Sequence, residues 1–243
     1  MTPAYDAAVR REELSARLQQ VEERIGSACR AAGRPRGDVT LIVVTKHFPV
    51  QDVEALCELG VSNIGENRDQ EASAKIAALP PEVRRRLQVH FIGRLQSNKA
   101  ASLASYVDTV HSIDREKLVR ALDRAAAAGG REIGALVQVS LDADTAAGGR
   151  GGIPLEGVAA LADSVAASDH LTLRGLMAVA PLGVDPAEAF ARLATAAGGV
   201  RAGHPGAGWI SAGMSADLES AVANGATHLR VGSAILGSRP PFG

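Results

Sequence analysis

The sequence of 243 residues has little cysteine, few long apolar runs and no excess of charge of either sign. Its two cysteines, Cys29 and Cys57, cannot build a disulfide framework and form no CxxC metal motif, so we expect a reduced protein of the cytoplasm. Lysine and arginine number 26 against 27 aspartate and glutamate residues, which argues against binding to nucleic acid or to an anionic membrane. No apolar run approaches the roughly 20 residues that span a bilayer, and the first residues do not resemble a signal peptide.

Aliphatic residues dominate what the chain does contain. Apolar residues make up 46% of it and aromatic residues only 3%, so the core must consist mainly of valine, leucine, isoleucine and alanine. Disorder is excluded, because disordered chains are poor in apolar residues and unbalanced in charge. The length fits either two ordinary domains or one α/β barrel of roughly 250 residues.

Helix and strand patterns alternate along the whole chain. A first helix is predicted within 10–32, where one apolar stripe consists of Leu14, Leu18, Val21, Ile25 and Cys29. Residues 39–46 form a β-branched run typical of a strand buried on both faces of a parallel sheet. Further strands are predicted at 61–65, 88–93, 107–112, 135–140, 172–179, 208–213 and 227–232. Helical patterns follow the strands at 51–59, 67–78, 97–104, 114–128, 155–167, 185–197 and 216–223.

Eight strand–helix steps with short connections predict a single (β/α)8 TIM barrel, an α/β fold, with an extra N-terminal helix. An open doubly wound sheet is the weaker alternative, because no Gly-x-Gly-x-x-Gly turn follows the first strand. We expect one domain over 1–243, made of a leading helix at 1–35, the barrel at 39–232 and a C-terminal stub at 233–243.

Lys46 is the first candidate for a functional residue, because barrel proteins place their sites at the C-terminal ends of the strands. It ends the first predicted strand and shares a face with Ile42 and Val44. If that face is the barrel interior, the amine emerges above an apolar floor. Desolvation there disfavours the ammonium and leaves the free amine that a Schiff base requires. A lysine just past a strand end can equally point into solvent.

The loops after the seventh and eighth strands indicate an anion site. Residues 211–215 (Ser-Ala-Gly-Met-Ser) and 232–237 (Gly-Ser-Ala-Ile-Leu-Gly) are small enough to let backbone N–H groups approach an anion. Barrels often bind phosphate at these two places, although either loop alone is also typical of a simple strand end. Arg230 faces the same way as His228 and Gly232. A buried arginine needs an acceptor, either a heteroaromatic nitrogen of a ligand or a nearby carboxylate.

A reactive lysine, a phosphate site and an arginine around one barrel mouth suggest pyridoxal 5′-phosphate. Characteristic segments of the chain lie at 44–46, 65–71, 90–99, 111–114, 174–177, 211–215 and 230–237, and the segment His-Phe-Ile-Gly-Arg-Leu-Gln-Ser-Asn-Lys at 90–99 is the most specific. In these segments the sequence resembles the YggS/PROSC family, the pyridoxal phosphate homeostasis proteins. They are relatives of the barrel half of alanine racemase and of fold-type III decarboxylases, and the resemblance covers residues 12 to 239.

The resemblance implies a fold-type III barrel in which Lys46 holds pyridoxal phosphate as a Schiff base. It places Asn67 beside the cofactor ring and Arg230 at the ring nitrogen. The residues that it assigns to the phosphate are Ser211, Met214, Ser215, Gly232 and Ser233. The glycine-rich loop at 148–152 departs from the family, since only Arg150 could supply the usual positive charge there. No metal ligands and no separate catalytic residues are expected.

Two functions fit this resemblance. The first is a role in intracellular vitamin B6 homeostasis, in which the protein binds the cofactor without substrate turnover and apo enzymes are its recipients. It is favoured because alanine racemase-like enzymes need a second domain and a partner subunit, whereas one barrel and its leading helix account for the residues here, as in a monomer. The alternative is a weak amino-acid racemase that works from Lys46 alone or with a mouth residue such as His90.

Overall fold

Eight parallel strands close into a barrel in the computed structural model of the protein, which describes residues 6–142 and 151–238. The strands are β1 (Thr40–Val44), β2 (Asn63–Glu66), β3 (Gln88–Phe91), β4 (Thr109–Ile113), β5 (Ile133–Gln138), β6 (Leu171–Met177), β7 (Trp209–Ser211) and β8 (His228–Val231). Each pairs with the next along the chain, and β8 pairs with β1. The predicted (β/α)8 barrel is therefore confirmed, and the open-sheet alternative is wrong.

Ten helices accompany the strands within the described residues. They are α1 (Ala7–Ala31), α2 (Val50–Glu58), α3 (Asp69–Ala77), α4 (Pro81–Arg86), α5 (Ala100–Ala104), α6 (Glu116–Ala128), α7 (Val158–Ala166), α8 (Pro186–Gly203), α9 (Leu218–Ala223) and α10 (Ser233–Leu236). The short α4 and α10 were not among the predicted elements. Helix α4 begins with Pro81 at its first position, where the missing N–H of proline costs nothing.

The leading helix α1 covers one side of the barrel. The side chain of Asp6 caps its N-terminus by accepting hydrogen bonds from two backbone N–H groups. The predicted apolar stripe is buried except for Leu18, which is half-buried. Arg10 donates to Asp52 of α2 at 2.7 Å and to the carbonyl oxygen of Leu236 in α10 at 3.0 Å. These bonds fix α1 against the elements that flank β1 and β8.

The two faces of β1 meet different surroundings. Val43 belongs to the continuous apolar core between the strands and the helices. A Cβ atom added to Gly65 of β2 would lie 3.1 Å from Ile42 Cγ2 and 3.4 Å from Val44 Cγ2, so these side chains face the barrel interior. The face of β1 that carries Ile42 and Val44 is therefore the interior face, which is the condition that the sequence left open.

Some predicted features lie outside the described residues. Residues 148–150 of the glycine-rich loop, including Arg150, are among them, and so are residues 239–243 of the predicted stub. In the described ranges, no helix combines the length and the apolar character that a bilayer span requires. The histidine, cysteine and acidic side chains of those same ranges form no group suited to a metal ion.

Gly175 of β6 offers a test of how tightly β6 and β7 pack. It has a φ of 146°, and an added Cβ atom would lie 2.0 Å from the carbonyl oxygen of Trp209. Replacing Gly175 with alanine is expected to lower the free energy of unfolding by about 3 kcal/mol or more, since backbone must move to relieve the clash. Urea denaturation followed by circular dichroism measures the change.

Gly199→Ala in α8 is the matched control. Gly199 is exposed and nothing lies within 4 Å of its added Cβ atom, so this change is expected to stabilise the helix by about 0.5–1 kcal/mol. Equal unfolding free energies for the two variants would contradict the close contact between β6 and β7.

Candidate functional site

Lys46 lies in the turn that follows β1. Its side chain is half-buried and makes no hydrogen bond or ion pair with any described residue. Thr45 on its N-terminal side is buried and donates its backbone N–H to the carbonyl oxygen of Gly65 at 3.0 Å. His47 on its C-terminal side has a φ of 69°. The turn thus presents an unpaired amine at the C-terminal end of the barrel, where the sequence predicted it.

The loop after β8 lies directly beside this turn. A Cβ atom added to Gly232 would lie 3.1 Å from the carbonyl oxygen of Val44, so only a glycine permits this approach without a shift of its neighbour. Ser233 is the first residue of α10, and the first N–H groups of a helix have no partner within the helix. Two of the predicted phosphate residues therefore adjoin the strand end that carries Lys46.

The loop after β7 is shaped by contacts with α9. Gly213 has a φ of 92°, and its added Cβ atom would lie 2.6 Å from Ala221 Cβ. The backbone N–H of Met214 donates to Asp217 Oδ1 at 2.6 Å, and the carbonyl oxygen of Ser215 accepts a bond from Arg24. An anion that takes the Met214 N–H must therefore replace the Asp217 carboxylate as its acceptor.

Arg230 of β8 links the ends of β6 and β7 inside the barrel. It pairs in register with Ile42, so both lie on the interior face. Its Nη1 donates to Ser211 Oγ at 2.7 Å and its Nη2 to the carbonyl oxygen of Ala178 at 2.8 Å. Burial lowers the pKa of Arg230 to about 10, which still leaves it protonated at neutral pH.

A nearby carboxylate is one of the two acceptors proposed for Arg230. Within the described ranges its guanidinium forms no direct ion pair, although the charge of Asp217 acts on it and opposes the lowering of its pKa by burial. A buried cation without a carboxylate is unfavourable unless other acceptors surround it. The interior of the barrel mouth therefore carries a positive charge suited to an anionic group or a lone pair of a ligand.

A chain of hydrogen bonds extends from Arg230 through the barrel. Ser211 Oγ lies 2.9 Å from His111 Nδ1, His111 Nε2 lies 3.0 Å from His90 Nδ1, and His90 Nε2 lies 3.0 Å from Asn63 Oδ1. The Asn63 oxygen can only accept, so a neutral His90 must accept at Nδ1 and a neutral His111 must donate from Nε2. The Ser211 hydroxyl then donates to His111 and cannot also donate to a phosphate.

Burial keeps the histidines of the barrel interior neutral. It lowers the pKa of His90 to about 4 and that of His228 to about 3, and it holds the pKa of His111 well below its ordinary value. The prediction that His90 is a mouth residue is wrong. His90 is buried, and its Nε2 bonds to Asn63 at the first residue of β2, so both ring nitrogens have partners.

Asn67 makes no hydrogen bond or ion pair with the other predicted site residues among those the structure describes. It follows β2 and lines a cavity of about 530 Å³ beside the barrel mouth, together with Arg68 and Arg94. The wall of this cavity does not include Lys46 or Arg230. The structure therefore joins Ser211 to Arg230 and places Gly232 against β1, but it shows no contact between Asn67 and this group.

Asn63 and His111 belong to the hydrogen-bond chain but are not among the predicted site residues. A usable signal was the pairing of neighbouring strands. His90 pairs with Gly65 in the adjacent strand, and Gly65 faces the interior, so His90 belongs to the interior face as well. Two histidines in successive strands with interior positions point to a mutual hydrogen bond.

The neutral histidines predict how stability depends on pH. Their folded pKa values lie below the ordinary value of 6.5, so the unfolded chain takes up protons first as the pH falls. The stabilisation is fully present above about pH 6.5 and is lost as the pH falls towards 4. Each histidine contributes a slope of about 1.4 kcal/mol per pH unit in this window.

Urea unfolding at pH 6 and pH 5 measures this slope. A His90→Gln variant keeps hydrogen-bonding groups at the position but does not titrate. It is expected to show a slope shallower than that of the wild type by about 1.4 kcal/mol per pH unit. Parallel pH profiles for the two proteins would contradict a neutral, buried His90.

Comparisons with known sequences agree with this arrangement. The family described as alanine racemase, N-terminal domain, matches residues 17–240 of the chain. A Mycobacterium bovis protein named pyridoxal phosphate homeostasis protein is 43% identical over 247 residues, covering 95% of this chain and 94% of its own. A Corynebacterium glutamicum protein of the same name is 42% identical over 227 residues, covering 90% and 99%.

Solved structures of related proteins have the same barrel fold. PipY of Synechococcus elongatus, with pyridoxal phosphate bound, superimposes with a TM-score of 0.77 at 33% identity, over 92% of this chain and all of PipY. An unknown protein from Bifidobacterium adolescentis superimposes with a TM-score of 0.88 at 30% identity, over 96% and 97%. Alanine racemase from Corynebacterium glutamicum shares the fold, with a TM-score of 0.67 at 13% identity. The chain therefore belongs to the alanine racemase N-terminal domain family and, within it, to the pyridoxal phosphate homeostasis proteins.

Proposed function

We propose that this protein binds pyridoxal 5′-phosphate and serves in intracellular vitamin B6 homeostasis, with Lys46 as the residue that holds the cofactor. The observation that carries the proposal is the half-buried, unpaired amine of Lys46 in the turn after β1, next to the loop after β8. A relative with the cofactor bound, PipY, shares the fold and a third of its sequence with this chain.

The residues present suit the chemical groups of this cofactor. Its aldehyde requires an amine, which Lys46 supplies. Its phosphate requires N–H donors, and the start of α10 beside Gly232 provides them. Its ring nitrogen requires a donor, and Arg230 has more N–H groups than its bonds to Ser211 and Ala178 use.

Arg230 also sets the electronic character of the bound group. The cofactor supplies an electron-withdrawing ring when it is bound. Arginine stays protonated here, since the pKa of Arg230 is about 10, so it donates a hydrogen bond and leaves the ring nitrogen unprotonated. An unprotonated ring withdraws electrons weakly, which disfavours transaminase-like chemistry.

We propose further that the protein does not turn over a substrate. A racemase needs a second proton-transfer group opposite Lys46, and His90 was the candidate. Both nitrogens of His90 are engaged by Asn63 and His111 inside the barrel, which supports a binding role. The buried free thiols of Cys29 and Cys57 suit the reducing cytoplasm. Apo enzymes that use the cofactor are the proposed recipients, and we expect the protein to act as a monomer.

Trapping the covalent bond tests the binding function. Purified protein incubated with pyridoxal phosphate is reduced with borohydride, digested and examined by mass spectrometry. We expect a phosphopyridoxyl group on Lys46, and its loss in Lys46→Ala. Lys117→Ala, which removes an exposed lysine of α6, is the matched control and should keep the adduct. A wild-type protein without an adduct on Lys46 would overturn the proposal.

Turnover is tested separately with L-alanine. Polarimetry or a coupled assay for D-alanine is expected to give the rate of free pyridoxal phosphate, because both ring nitrogens of His90, the candidate second proton-transfer group, are engaged inside the barrel. A faster rate that disappears in Lys46→Ala would replace the binding role with a racemase. A rate unchanged in Lys46→Ala would leave the binding role intact.

A further inference from the structure

The residue that follows Lys46 has an unfavourable backbone conformation. His47 has a φ of 69°, and it is the non-glycine residue with a positive φ among those the structure describes. The left-handed region costs an ordinary residue roughly 1–2 kcal/mol, and such conformations persist only where their surroundings hold them. The conformation of His47 determines the course of the chain immediately after Lys46, so whatever holds it also fixes the turn.

Glu71 of α3 holds His47 from outside the strand layer. Its Oε1 accepts the backbone N–H of His47, and its Oε2 lies 3.6 Å from His47 Nδ1. One carboxylate thus contacts both the main chain and the side chain of the strained residue. A charged acceptor on a backbone N–H gives a stronger bond than a neutral one, enough to offset a strain of this size.

A second contact holds the residue that precedes Lys46. Lys75 Nζ, also on α3, donates to the carbonyl oxygen of Thr45 at 2.7 Å and to Glu66 Oε1 at 2.8 Å. The hydroxyl of Thr45 donates to the same Glu66 oxygen at 2.6 Å. Lys75 Nζ also lies 3.5 Å from Glu71 Oε1, so the contacts on the two sides of Lys46 form one network.

This network is costly in ways that stability alone does not explain. Glu66 is completely buried, its Oε2 has no partner within the described chain, and burial raises its pKa. Lys75 is 8% exposed. Buried ion pairs of this kind are often no more stabilising than well-packed apolar residues of similar volume. The ion pair of Lys75 with Glu66 does, however, hold the main chain of Thr45 in place.

We propose that Glu66, Glu71 and Lys75 form a supporting cluster that positions the amine of Lys46 for its bond to the cofactor. The proposal rests on the proposed function. The bond formed is a C=N bond between Lys46 Nζ and the aldehyde carbon of pyridoxal phosphate. The aldehyde oxygen leaves as water, which takes up the two hydrogens of the neutral amine, and nothing is oxidised or reduced.

Two ligands separate positioning of Lys46 from the integrity of the whole site. Pyridoxal 5′-phosphate can bond to Lys46, whereas pyridoxine 5′-phosphate has the same ring and phosphate but an alcohol in place of the aldehyde. Glu71→Ala is expected to weaken the binding of pyridoxal phosphate about tenfold, the equivalent of about 1.4 kcal/mol, and to leave the affinity for pyridoxine phosphate unchanged. Fluorescence titration of the apoprotein with each ligand measures both affinities.

Companion variants identify the cause of the loss. Glu71→Gln keeps an amide oxygen as acceptor for the His47 N–H and should recover most of the affinity. Glycine adopts a positive φ without strain. In a His47→Gly background, Glu71→Ala should therefore have little effect on the affinity for pyridoxal phosphate. Lys75→Met should repeat the selective loss of pyridoxal phosphate binding. Glu82→Ala, which removes an exposed carboxylate of α4, is the control and should bind both ligands as the wild type does.

The possible results distinguish failure of the positioning role from failure of the proposed function. Equal loss of both ligands in Glu71→Ala, or no loss of either, overturns the positioning role. Failure of His47→Gly to suppress the effect of Glu71→Ala overturns it as well, since the strain at His47 is then not what Glu71 relieves. A wild-type protein that binds both ligands equally and yields no borohydride adduct on Lys46 overturns the proposed function itself.

Discussion

The pairing of β1 with β8 is the constraint on which the rest of the site depends. Lys46 and Arg230 stand at opposite ends of the chain, and only closure of the barrel makes their strands neighbours. The register of this pairing sets Ile42 beside Arg230 and Val43 beside Val231. The end of β1 and the loop after β8 therefore meet at one edge, and the glycine that follows β8 fits against Val44.

The fold could be predicted from the sequence because its signals are local. Strand β1 has a continuous β-branched pattern, α1 has a regular apolar stripe, and each connection is short. The errors lie where local patterns are weak. The predicted strand at 39–46 continues past the true end of β1 at Val44, because Thr45 and Lys46 suit a strand as well as a turn. The residues of α10 lie in the predicted C-terminal stub, for which no helix was predicted.

The candidate site could be predicted only in part. Strand periodicity predicts that Lys46 lies at the end of a strand and that the side chain of Arg230 points into the barrel. The barrel architecture predicts that the loops after the seventh and eighth strands bind phosphate. The partners of these residues depend on contacts between distant segments, such as Ser211 with His111 or Lys75 with Thr45. No local pattern encodes such pairs. The direct hydrogen-bond partners of Arg230, Ser211 and the carbonyl oxygen of Ala178, likewise depend on closure of the strands into a barrel.

The direction of the hydrogen bonds inside the barrel has a consequence for proton movement. Every donor in the chain from Arg230 to Asn63 points away from the mouth. A proton passed along it would arrive at the amide oxygen of Asn63, which is too weak a base to keep it. The chain therefore ends without a base that could store a proton. A group held at the mouth gains no proton reservoir from this chain of hydrogen bonds.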